Sequence, residues 1–187
     1  EPLAGRAFLV RWARGSECLD RGSDLFRFVG LAGLVSPVIA ATLGTTALEF
    51  GGSPASGSFV ATWCTWWIGD AVGVVAIAPL VLAWSRAGLP GGNLRAWIEA
   101  LALAAAVAAL GFIAFHVGYQ VETLAVPLLG WSAFRFGLRG AASLTVLLAG
   151  IALWGTVHGI GTFARPTRAE SLALLQAFVG ALSVATL

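Results

Sequence analysis

The sequence predicts an all-α fold, a polytopic transmembrane helix bundle of about six spans. Three observations predict it. Of 187 residues, 58% are hydrophobic and only 11% are charged, whereas a soluble domain carries about 25% charged residues. The apolar residues come in runs close to the roughly 20 that a helix needs to cross a bilayer core. These runs are rich in Leu and Ala and lack period-two alternation, so they read as helices and not as barrel strands. In lipid every backbone group must be bonded internally, and a helix does this within each segment.

The spans are expected in the following order. Glu1–Asp24 reads as a cytoplasmic connector or the end of an earlier span, and the bundle occupies 25–187. Leu25–Leu48 is the first span, with Arg27 at its edge. Phe59–Trp84 holds a single charge, Asp70. Trp97–Phe115 holds only Glu99. Tyr119–Phe134 is short and contains Pro127, so it reads as a span, with a re-entrant hairpin as the alternative. Gly140–Val157 has no charge, and Ser171–Leu187 is the sixth span. The stretches Gly51–Gly57 and Gly88–Asn93 are turns. Pro166 and Thr167 break the chain before the last helix, which Thr167 or Ser171 caps. The absence of Met and the start at Glu1 suggest a fragment of a longer chain.

All eleven basic residues are Arg, which makes the positive-inside rule simple to apply. With Arg6, Arg11, Arg14, Arg21 and Arg27 inside, six spans also put Arg86, Arg95, Arg135 and Arg139 inside, and only Arg165 and Arg168 outside. The re-entrant alternative moves Arg135 and Arg139 outside and weakens the bias. On this count the C-terminus lies in the cytoplasm. Trp63, Trp66, Trp84, Trp97 and Trp131 fall toward span ends, where interfacial aromatic belts sit.

Chemistry is sparse. Asp70 sits mid-span in Trp63–Gly73, and an ionised carboxylate at the bilayer centre costs about 2.5–3.5 kcal/mol on insertion scales. Pairing, water or protonation must offset that cost. One reading is a switchable or ligand-touching carboxylate, flanked by Trp66 and Trp67; the other is a buried acid that fixes packing. Gly69 and Gly73 form a GxxxG pair that lets another backbone approach. Pro79 in the same helix is a kink or hinge candidate. Pro127 is a second. Arg135 and Arg139 read as topology anchors, with pairing to an acid such as Asp70 as a tighter role. His116, His158, Glu49, Glu122, Tyr119 and Gln120 fall near the outer face as hydrated loop ends or a shallow site. Two histidines without further ligand spacing do not make a metal or haem site, and Cys18 and Cys64 read as free thiols. No catalytic motif and no phosphate loop is present. The arginines follow a membrane face and do not form a nucleic-acid patch.

Several segments together carry a resemblance. Trp66-Trp67-Ile68-Gly69-Asp70-Ala71-Val72-Gly73, with Ala78-Pro79-Leu80 and Trp84, resembles the signature of the type-one membrane-associated sensor domain of the MASE family. Ala40-Ala41-Thr42-Leu43-Gly44, Pro127-Leu128-Leu129-Gly130-Trp131, Arg135-Phe136-Gly137 with Arg139-Gly140-Ala141-Ala142, Trp154-Gly155-Thr156 with Gly161 and Phe163, and Leu174-Leu175-Gln176 are similar to its later parts. The resemblance implies a bacterial inner-membrane input domain of about eight spans, so one or two N-terminal helices are expected to be missing. It also implies a covalently attached cytoplasmic effector after Leu187, commonly a histidine kinase or a cyclic di-GMP enzyme. The expected function is therefore sensory, with no catalysis and no cofactor in this chain. Its expected partners are the lipid bilayer, the effector and a second copy in a homodimer. The competing reading is a small secondary transporter or channel that uses Asp70 as a coupling acid and a broken helix at Pro127. That class usually shows an inverted repeat, which this sequence lacks.

Overall fold

The computed structural model describes residues 11, 22–51, 58–85, 94–117 and 122–187. All regular structure among them is helical. A short helix, Gly22–Arg27, leads into α1, Phe28–Phe50, whose first eight residues are π-helical. Then follow α2, Phe59–Ser85; α3, Leu94–Val117, π-helical from Ile113; α4, Ala125–Val157; and α5, Arg168–Thr186. These five are long and apolar enough to cross a membrane, one fewer than the six expected spans. The connector Glu1–Asp24 lies almost wholly outside the described residues, as does Cys18.

The difference of one has a local cause. The expected spans Tyr119–Phe134 and Gly140–Val157 fall within one helical stretch, α4, which breaks at Gly137 (φ +66°, ψ −163°). That backbone conformation is almost exclusive to glycine. A Cβ built on Gly137 meets nothing within 4 Å, so conformation and not space demands the glycine. The break is a fold-back: a Cβ on Gly140 would lie 2.6 Å from the Ser132 hydroxyl, although eight residues of straight helix would separate the two by about 12 Å. Pro127, in contrast, lies in the first turn of α4, where the missing N–H has no helical acceptor to lose. It starts the helix and does not break it. Pro79 is buried within α2, which continues through it.

The chain forms two compact units, Glu1–Val75 and Ala76–Leu187. In the first, α1 runs antiparallel to residues 59–75. The Trp63 indole N–H donates to the Thr42 hydroxyl at 3.0 Å, the Trp67 indole N–H donates to the Leu34 carbonyl at 2.8 Å, and Val75 lies against Gly33. Ser58 starts α2 by accepting from the Ala61 N–H at 3.2 Å.

In the second unit, α3 runs parallel to the second arm of α4. Glu99 pairs with Arg135 at one end, Gly111 meets Leu148 midway, and at the other end Phe115 lies against Gly155 and Gly161. The Phe115 ring is buried in a cluster with Phe163 and Phe178, at centroid distances of 5.3 and 5.8 Å. The π-turn at Ile113–Val117 leaves carbonyls out of the i to i−4 pattern, and the Thr162 hydroxyl donates to one of them, Ala114, at 3.0 Å. α3 ends beside Phe115, yet Arg135 sits at the opposite end beside Glu99, so the chain from Val117 to Arg135 joins the two ends of the unit. This favours a full fourth pass over a re-entrant hairpin. The pass is short: twelve α-helical residues and one 3-10 turn rise about 24 Å, against a hydrocarbon core of about 30 Å. α5 returns along the second arm. Its end meets that arm where the Thr186 and Thr145 hydroxyls hydrogen-bond at 3.1 Å. Thr167 caps α5, its hydroxyl accepting from the Glu170 N–H at 3.2 Å in the Thr-x-x-Glu pattern of a capping box. Ser171 instead ties the preceding turn, its hydroxyl accepting from the Arg165 N–H at 2.8 Å.

Candidate functional site

Two places gather the polar and aromatic residues singled out by sequence. The first is the tryptophan face of α2 in the first unit. Trp63 and Trp67 lie one helical turn apart and their rings stack at 6.0 Å, 12° from parallel. Each indole N–H has its partner on α1, as given above. The Trp66 ring lies directly against Gly44, whose missing side chain makes room for it. A glycine on α1 and a tryptophan on α2 therefore act as one contact. Asp70, one turn beyond, is half-buried. Among the described residues no hydrogen bond or ion pair reaches its carboxylate. Gly73 is exposed, and a Cβ there would meet open space; the close approaches within the described chain run through Gly33, Gly44, Gly111, Gly140, Gly155 and Gly161. Cys64 is a half-buried free thiol.

The second place is the elbow of α4. Arg135 donates through Nε to Glu99 Oε2 at 2.9 Å, and its terminal nitrogen lies 2.6 Å from the same oxygen. The acid that meets Arg135 is thus Glu99, on α3. Both side chains are roughly half exposed, so the pair contributes no more than about 1 kcal/mol. Arg139, two residues past the break, donates through Nε to the Ala83 carbonyl at 3.0 Å, and its guanidinium lies 5.6 Å over the Trp84 ring. The Trp84 indole N–H donates to Ser143 at 3.1 Å. The two arginines flank Gly137 and bind different neighbours, so the elbow ties the start of α3 to the end of α2.

At the far end of this unit His116 stacks on Phe112 at 4.6 Å and His158 on Trp154 at 4.4 Å. His158 also bonds the Trp154 carbonyl at 2.8 Å. Glu49, at the end of α1 in the first unit, is exposed. Tyr119, Gln120 and the side chain of Glu122 lie outside the described residues.

The family model of MASE1 matches residues 1–187, the whole chain. The chain belongs to the MASE1 family. MASE1 is a membrane sensory input domain. No curated protein and no solved structure matches the chain. The segments that carry the family resemblance do distinct structural jobs in this MASE1 domain. Trp66–Gly73 supplies the tryptophan face and Asp70. Arg135–Ala142 is the elbow. Trp154-Gly155-Thr156, with Gly161 and Phe163, encloses Phe115. Sequence reasoning missed Ser132, Ser143 and Phe115, whose roles depend on partners distant in the chain. It could have found Gly137, since a glycine between two arginines and two apolar runs is a turn signal, and Glu99, the sole acid of its span.

Proposed function

We propose that this MASE1 domain converts a stimulus at the bacterial inner membrane into a change of helix packing and passes it through α5 to a cytoplasmic effector joined after Leu187, a histidine kinase or a cyclic di-GMP enzyme. The observation that carries this reading is where α5 ends. Thr186 bonds Thr145, toward the end of the unit that also holds Arg135, Glu99 and Arg139. Arg95 and Arg86 belong by sequence to the same end, and only Arg165 and Arg168 to the other. By the positive-inside rule the arginine-rich end faces the cytoplasm, and a helix continuing past Leu187 emerges there. The elements able to hold two states are the Gly137 elbow and the half-buried Asp70, since a stimulus acts only through a difference in affinity between two conformations. A second copy of the domain is the expected partner in transmission.

The test joins the chain after Leu187 to a diguanylate cyclase and reads cyclic di-GMP in cells. Asp70→Asn is expected to reach the membrane at wild-type levels and Gly137→Ala at a reduced level, and output per inserted molecule is expected to change by several-fold, the scale set by coupling energies of about 1–3 kcal/mol. Equal output from all three chains under every condition tried would sink the signalling roles of both residues.

A further inference from the structure

The elbow encloses a cleft of about 280 Å³ that the sensory reading above does not use. Aromatic and aliphatic side chains make its walls, among them Trp84, Trp97, Phe136, Leu103 and Leu144. The charged side chain that lines it among the described residues, Arg139, is already engaged on the Ala83 carbonyl and over the Trp84 ring. Recognition of a ligand therefore falls to the neutral polar groups, and these are donors without acceptors. Ser132 lines the cleft from the first arm of α4, fully buried, and its hydroxyl has no hydrogen-bond partner among the described residues. Ser143 lines it from the second arm. Its oxygen accepts from the Trp84 indole, and its own O–H has no acceptor among the described residues. The Trp97 indole N–H, on α3, is likewise unpartnered. A buried polar group left unpaired is costly, and the bond from Trp84 polarises the Ser143 hydroxyl toward an acceptor.

These groups define a ligand. It carries acceptors and no charge, because the cleft offers donors and no uncommitted charge. It carries more than one acceptor, because the donors stand on α3 and on both arms of α4. It is flat and apolar, because tryptophan and phenylalanine rings line the space. The volume is nearly twice the ~150 Å³ of an apolar cavity that takes benzene, which is room for one ring with small substituents. The cleft follows α3 from Ala96 to Ala104, about 12 Å of rise. Half-exposed Trp84 and Trp97 leave its side open for a longer apolar tail. We propose that this cleft binds a lipid-soluble quinone in its oxidised form, the ring beside Trp84 and Trp97 and the carbonyls at Ser132 and Ser143. The electron-poor ring complements the negative faces of the indoles. The reduced quinol brings two O–H donors of its own to a cleft of donors, so it binds more weakly. The quinone is bound and not reduced here, and its binding stands apart from the identity of any effector.

The experiment uses the full-length protein in nanodiscs of zwitterionic phosphatidylcholine. The probe is a substituted benzoquinone with a decyl tail that bears a diazirine near the ring, and labelled residues are mapped by mass spectrometry. Labelling is expected to saturate on Leu103, Phe136 and Leu144. The same quinone without the diazirine should abolish it. The quinol, held reduced under anaerobic conditions, should compete about fivefold more weakly. Decylbenzene, with the same tail and no oxygens, should not compete. Ser143→Ala and Ser132→Ala are each expected to weaken labelling by about threefold to tenfold, as loss of one hydrogen bond implies. Ser132→Ala should do so without lowering the unfolding temperature of the ligand-free protein, because it removes a hydroxyl that has no partner there. If these variants fail to fold, the competitions on the wild-type protein decide alone. Unsaturable labelling that marks the exposed Phe134 as strongly as Leu103 means ordinary partition into the bilayer and overturns the site. Equal competition by decylbenzene overturns recognition of the carbonyls, and equal competition by the quinol overturns the preference for an acceptor. Competition by decanoate without competition by the quinone overturns the neutral ligand in favour of an anionic one.

Discussion

Ser132 and Gly140 stand eight residues apart in sequence, yet the Ser132 hydroxyl reaches within 2.6 Å of the point where a Cβ on Gly140 would sit. The Phe136 Cβ is at 2.5 Å from the same point. The elbow therefore depends on two glycines for two different reasons. Gly137 supplies a conformation and Gly140 supplies space. Gly137→Ala is expected to destabilise the domain by about 1–3 kcal/mol through backbone strain alone. Gly140→Ala must push a serine hydroxyl and a ring-bearing carbon apart, at a cost of about 1–3 kcal/mol from overpacking. Ser132→Gly should relieve part of the Gly140→Ala cost and none of the Gly137→Ala cost. Thermal unfolding of the single and double variants in detergent separates the two, and equal rescue of both would show that the elbow is a single steric contact.

The tryptophan face allows a comparison to be predicted. Trp67 donates to the Leu34 backbone carbonyl, whereas Trp63 donates to a Thr42 hydroxyl that itself donates to Val38 at 2.7 Å. Neither acceptor is left bare when its indole is removed. The Thr42 hydroxyl keeps Val38, and the Leu34 carbonyl faces the backbone N–H of Val38, four residues on in the helix, since the N–H that Pro37 lacks would have served the Gly33 carbonyl instead. Trp67→Phe and Trp63→Phe are therefore expected to fall in the same order, each costing about 0.5–1.5 kcal/mol. Unfolding of the two variants measures them; a cost of several kcal/mol at either position contradicts this equal ranking and makes that indole the sole partner of a buried group.

Legibility followed the range of the interaction. Span boundaries, the cap at Thr167 and the arginine bias are local or compositional, and the apolar runs and turn residues carry them. In the expected span Tyr119–Phe134, shortness and Pro127 pointed to a break at the wrong place. Proline in a first turn is harmless, and the decisive residue was a glycine between two arginines. Glycine contacts were legible only as a class. Gly69 and Gly73 have the GxxxG spacing, yet the glycine of α1 that receives the Trp66 ring is Gly44, in a segment with no such spacing. Which acid meets Arg135 depended on the register of α3, and no pattern within either segment encodes a register between two helices.

The Arg135–Glu99 pair joins α3 to the elbow at 2.6 Å with both side chains roughly half exposed. Glu99→Gln and Arg135→Gln are each expected to cost under about 1 kcal/mol, and a double-mutant cycle should give a coupling of about 0.2–1 kcal/mol. The coupling should fall as salt is raised, because exposed charges are screened. A coupling of several kcal/mol that ignores salt would mean that the pair is closed off from solvent when the domain sits in its membrane.

Sidedness is the prediction with the widest reach, because it follows from two arguments that share no premise. Packing puts Arg135 and Arg139 at the Glu99 end of the second unit and Phe115, Gly155 and Gly161 at the other. The arginine count alone assigns Arg95, Arg135 and Arg139 to the cytoplasm and Arg165 and Arg168 to the opposite face. Single cysteines at Arg95, Leu138 and Leu187, in a chain with Cys18 and Cys64 replaced by serine, should therefore resist a membrane-impermeant thiol reagent in intact cells and react after lysis. Cysteines at Ile160 and Arg168 should react in intact cells. If position 138 reacts from outside while 95 and 187 do not, residues 118–136 re-enter without crossing. The Arg135–Glu99 pair would then have to span the bilayer, which its length forbids.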